Sequence, residues 1–160
     1  MKKALWAISF LLILLVSGCV GGTPLTKQEY FDAVQDSITA YTAAALDIAQ
    51  PLYEYEINGT PFDKEELHAI SQNAESMLLK IKTLVPPQEY SGYHDKLCDG
   101  VDSILPWFDA LDTALNAASK TEFSQAGVKM REASEKSTLL SEWMEFVIDV
   151  SDEVEMKLPA

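Results

Sequence analysis

The residues best placed to bind a metal ion are His94 and Cys98, which lie four positions apart. On a helix this spacing puts both side chains on one face, and a histidine nitrogen with a thiolate suits copper or zinc. No second His or Cys cluster completes a tetrahedral site. Two interpretations stay open: a metal or cation site formed by this pair or by surface carboxylates, or a core histidine beside a half-buried thiol.

Other catalytic patterns in the sequence are incomplete. Glu65 and His68 form a single Glu-x-x-His pair, whereas di-iron bundles use two such pairs and two further inward glutamates. The chain has only two histidines and neither a nucleophile elbow nor a phosphate loop. We therefore expect a non-enzymatic protein that needs no cofactor.

Polar and aromatic residues cluster around a predicted turn near position 59. Asn58-Gly59-Thr60 is an N-glycosylation sequon, which predicts a glycan on Asn58 of an exported protein. Tyr53-Glu54-Tyr55-Glu56 precede the turn, and Trp107 is expected near the same end. Exposed tyrosine beside glutamate suits contacts with a protein or a cationic ligand. The alternative is a helix end that is partly packed into the core.

The amino terminus has the layout of a signal peptide. Lys2 and Lys3 precede an apolar run from Leu5 to Val16 that only Ser9 interrupts. The run is shorter than the roughly 20 residues that a spanning helix needs. We therefore expect cleavage, the alternative being an uncleaved amino-terminal anchor.

Val16-Ser17-Gly18-Cys19 resembles the lipobox of prokaryotic lipoproteins, and the two glycines that follow Val20 resemble archaeal surface lipoproteins. The resemblance implies that residues 1–18 are removed and that Cys19 is diacylated. Residues 19–25 then form a tether, and the rest lies outside the cell membrane, anchored by lipid. The segment from Pro86 to Leu97 resembles one found in uncharacterised helical-bundle lipoproteins, which carries no known activity over to this chain.

The charge balance excludes some partners. The chain has 12 basic and 25 acidic residues, a net charge of −13, and removal of Lys2 and Lys3 leaves 10 against 25, or −15. Such a chain has no basic stripe to bind nucleic acid. The expected partners are the membrane, through the lipid on Cys19, and a protein of unknown identity.

Four long segments of helical period must position these residues. The pattern predicts an all-α domain over residues 26–160, an up-down-up-down antiparallel four-helix bundle with helices at about 27–57, 61–84, 88–118 and 121–157. Thr26 and Glu29 form a capping box before the first helix. Pro51 is expected to kink that helix without ending it.

The fourth predicted helix is the longest and has the widest apolar face. Its inward positions are predicted to include Met130, Ser137, Leu140 and Met144. Once Cys19 carries lipid, Cys98 has no intrachain disulfide partner, so packing must stabilise the domain.

Overall fold

The computed structural model describes residues 22–156, and this part of the chain is all-α. A 3₁₀ turn at Gln88–Tyr90 leads into the third helix, and one hydrophobic core joins the helices. The predicted all-α helical bundle is therefore confirmed. The lipobox and Cys19 lie outside the described residues. The helices are α1 (Lys27–Asn58), α2 (Lys64–Ile81), α3 (Ser91–Leu115), α4 (Lys120–Lys136) and α5 (Leu139–Val150).

The predicted capping box starts α1. The Thr26 hydroxyl accepts the Glu29 backbone N–H at 3.2 Å, and the Glu29 carboxylate accepts the Thr26 backbone N–H at 2.9 Å. The helix continues through Pro51 to Asn58, where Gly59 adopts a left-handed φ of 70°. Glycine reaches this conformation without steric cost. Both ends of α1 thus follow from local sequence.

The second helix is shorter than the predicted 61–84. A helix that began at residue 61 would be capped by Thr60, but the cap is Asp63, whose carboxylate accepts the backbone N–H groups of Glu65 and Glu66. An aspartate that satisfies two end donors is a stronger cap than the threonine before Pro61. The residues from Thr60 to Phe62 consequently belong to the loop that joins α1 to α2.

The prediction of one continuous helix over 121–157 is wrong. The chain breaks at Ser137, whose ψ of 132° is extended, and α5 ends at Val150. The Ser103 hydroxyl on α3 accepts the backbone N–H of Thr138 at 3.0 Å. A Cβ added at Gly100 would lie 2.9 Å from Cα of Leu139. The start of α5 therefore sits against α3 and is held there by a tertiary hydrogen bond.

The break also changes which side chains α5 buries. Leu139, Phe146 and Val150 are buried, whereas Leu140 and Met144 are 47% and 55% exposed. The predicted inward positions Leu140 and Met144 were therefore wrong. A continuous helical register cannot anticipate a rotation introduced by a break in the helix.

The first described residues and the end of α5 lie together. The Leu25 backbone N–H donates to the Val85 carbonyl at 3.0 Å, and Nζ of Lys27 lies 2.8 Å from the Glu153 carboxylate. We call this the near end of the bundle. The 32 residues of α1 extend about 48 Å at 1.5 Å per residue. Asn58 and the loop before α2 therefore lie at the opposite, far end.

A cluster of rings surrounds Phe146 at the near end. Phe146 is fully buried, and its ring centroid lies 5.2 to 6.0 Å from those of five neighbours on α1, on α3 and the turn before it, and on α5 itself. These neighbours are Tyr30, Phe31, Tyr90, Tyr93 and Trp143. Together with Phe146 they form what we call the aromatic cluster.

Candidate functional site

The predicted pair His94 and Cys98 does share one face of α3. Sγ of Cys98 lies 3.5 Å from Nε2 of His94, and the Tyr30 hydroxyl lies 3.0 Å from the other ring nitrogen, Nδ1. A neutral imidazole has one donor and one acceptor nitrogen. Tyr30 and Cys98 can therefore satisfy both nitrogens without a metal ion.

Burial keeps this pair neutral. It lowers the pKa of His94, partly opposed by Asp95, and it raises the pKa of Cys98. Burial also raises the pKa of Tyr30, which therefore keeps its proton. The arrangement is a neutral hydrogen-bonded chain from α1 to α3 rather than a thiolate–imidazolium pair such as activated cysteines use.

A metal site at this pair would need further ligands. Between residues 22 and 156, no group of three or more His, Cys, Asp or Glu side chains is placed to hold a metal ion. His68 lies on α2, with Nδ1 3.6 Å from the Asp112 carboxylate. Metal binding by His94 and Cys98 therefore stays a prediction, for which the fold brings two candidate ligands together.

The half-buried His94 predicts a pH dependence of stability. Because the pKa of His94 is lower folded than unfolded, the unfolded chain binds more protons as pH falls below the ordinary histidine pKa of about 6.5. The free energy of unfolding should therefore fall between pH 8 and pH 5.5. In His94→Gln this component should be missing. Urea titrations of both proteins measure the difference, and parallel pH curves would contradict the assignment.

A groove on the surface of the bundle lies toward the far end. It has a volume of about 520 Å³ and lies between the second half of α1 and the start of α2. We call it the far groove. Its apolar lining includes Leu46, Pro51 and Phe62, and Phe62 is held against the core by ring contacts with Tyr55 and Phe123.

Four carboxylates also line the far groove. Two come from α1 and two from the cap and first turn of α2, and none of the described lining residues is basic. They are Asp47, Glu54, Asp63 and Glu66. Among residues 22–156 none of the four forms an ion pair. The sequence did not indicate this site, because its carboxylates lie on two helices that only the fold brings together.

Exposed apolar side chains continue from the far groove along α1. Leu46 at its rim is 73% exposed, and Tyr53 and Ile57 are 61% and 60% exposed. The predicted aromatic rim is thus only partly present at the surface. Tyr55 packs against Phe62, and Trp107 is buried. Tyr53 is the rim aromatic that remains available for contact.

The predicted glycosylation site lies beside the far groove. Asn58 is exposed at the last position of α1, and its side-chain amide donates to the Glu54 carboxylate at 2.8 Å. Glycosylation of Asn58 stays a prediction. A glycan there would stand at the rim of the groove.

Comparison with protein-family profiles, curated proteins and solved structures found no match to this chain. None of the helices between residues 22 and 156 combines the length and the hydropathy that a bilayer span requires.

Proposed function

We propose that this chain is a lipoprotein, anchored through Cys19 on the extracytoplasmic face of the cell membrane, that acts there as a non-enzymatic interaction module. The lipobox resemblance supports the anchor. The observation that carries the interaction role is the exposed apolar surface around the far groove, formed by Leu46, Tyr53 and Ile57. Exposed apolar side chains grouped on one face are typical of binding surfaces.

The position of that surface agrees with an anchored protein. Leu25, the last residue of the proposed tether, donates its backbone N–H to the Val85 carbonyl at the near end. Leu46 lies about 30 Å along α1 from Lys27 at 1.5 Å per residue. In the proposed arrangement the far groove points away from the membrane, while the anionic surface keeps the domain soluble.

Photo-crosslinking in native cells tests the interaction role. We expect the full chain with benzoylphenylalanine in place of Tyr53 to give a discrete higher-mass adduct on irradiation. The matched control places the same group at Val128 on α4, which is 48% exposed and far from the groove in sequence. Absence of an adduct at Tyr53, or identical adducts at both positions, would refute the proposal.

Metabolic labelling with a fatty acid tests the anchor separately. We expect the wild-type chain to incorporate label, because the lipobox cysteine is the acylated residue. Cys19→Ser should lose the label and leave the membrane fraction. Label that survives in Cys19→Ser, or an unlabelled wild-type chain, would rule out the lipid anchor.

The second candidate is a metal- or cation-binding envelope protein, and the juxtaposition of Nε2 of His94 with Sγ of Cys98 favours it. Calorimetric titration with copper, zinc and calcium ions tests this function. Micromolar or tighter binding that is lost in His94→Ala would support it. Binding that is weak, or unchanged in that variant, would reject His94 as a ligand.

A further inference from the structure

The far groove combines apolar lining residues with carboxylates that form no ion pair among residues 22–156. Leu46, Pro51 and Phe62 provide apolar surface, and the carboxylates of Asp47 and Glu66 belong to facing helices. The other two carboxylates are partly engaged within their own helices, by the capping of α2 and by the Asn58 amide. A ligand that fits must therefore offer both an apolar group and positive charge.

Building on the proposed function, we propose that the far groove binds a cationic amphipathic segment of a partner protein. An apolar side chain of that segment contacts Phe62 and Leu46, and flanking lysine or arginine side chains pair with Asp47 and Glu66. Complementary charge speeds encounter and selects against acidic partners. The apolar contacts supply the part of the affinity that does not depend on salt.

Three other occupants fit the groove less well. A bare metal ion would leave the apolar lining unused, and the described residues contain no group of three His, Cys, Asp or Glu side chains placed to bind one. Anionic lipid headgroups would face four like charges. Through α5, a second copy would bring exposed Leu140 or Ile148, which stand on a helix rich in acidic residues.

A second groove on the same molecule provides a matched control. It lies between α3 and α4 and has a volume of about 380 Å³. Its two carboxylates, Asp109 and Glu132, are accompanied by Lys129 and Lys136. Neutralising its carboxylates changes the net charge of the protein by the same amount as neutralising Asp47 and Glu66 in the far groove.

Fluorescence anisotropy with a labelled hexapeptide, Lys-Lys-Leu-Leu-Lys-Lys, tests the proposal on the full chain in maltoside micelles. We expect Asp47→Asn with Glu66→Gln to weaken binding at least tenfold. Asp109→Asn with Glu132→Gln should change it less than twofold. Because Leu46 is 73% exposed, Leu46→Ser should leave the fold intact and weaken binding several-fold.

Three outcomes would overturn the inference. An equal loss of peptide affinity in both double variants would mean that binding depends only on the net charge of the protein. Equal binding of Glu-Glu-Leu-Leu-Glu-Glu would remove the charge requirement. Affinity unchanged in Leu46→Ser, together with full displacement by spermidine, would indicate a site for bare polycations. In each case crosslinking at Tyr53 remains an independent readout, so the interaction role can stand when the peptide chemistry fails.

Discussion

Replacing Phe146 with alanine is expected to lower the free energy of unfolding by about 3–5 kcal/mol. Phe146 is fully buried and contacts all five other rings of the aromatic cluster. Its loss removes buried apolar area and leaves a cavity that the surrounding rings can fill only partly. Urea titration followed by circular dichroism measures the change.

Ile148→Ala is the matched control for this prediction. Ile148 lies on the same helix but is 66% exposed. The free energy of unfolding should therefore change by less than about 0.5 kcal/mol, as for most surface substitutions. A loss in Phe146→Ala no larger than that in Ile148→Ala would show that α5 does not hold the near end together.

Replacing Gly100 with alanine is expected to lower the free energy of unfolding by about 1–3 kcal/mol, despite the better helix propensity of alanine. Its Cβ would lie 2.9 Å from Cα of Leu139. That atom is backbone and cannot move aside without shifting the start of α5. The shift would also disturb the hydrogen bond from Thr138 to Ser103.

The same substitution at Gly127 should have the opposite sign. Gly127 lies inside α4, and a Cβ there would meet no described atom within 4 Å apart from its chain neighbours and the adjacent backbone of its own helix. Alanine should therefore raise the free energy of unfolding by about 0.5–1 kcal/mol through helix propensity alone. Equal stabilisation by both substitutions would show that α3 and α5 do not approach as closely as described.

Some of the candidate sites could be predicted from the sequence. The spacing of His94 and Cys98 predicted a shared helical face, and their atoms lie 3.5 Å apart. The partner of the other histidine nitrogen could not be predicted, because Tyr30 lies 64 positions earlier in the chain. The far groove was missed for a similar reason: its carboxylates are ordinary surface residues until two helices bring them together.

What the sequence determined by itself is local. Capping side chains, a glycine that favours a left-handed turn and the helical repeat of apolar residues act within a few positions of the chain, so the all-α fold and both ends of α1 could be predicted. Only the tertiary structure decided the break at Ser137, because it depends on a hydroxyl from Ser103 and on the absence of a side chain at Gly100. Contacts between distant segments determine which of several locally similar conformations the chain adopts. The helical repeat of apolar residues contains no information about those contacts.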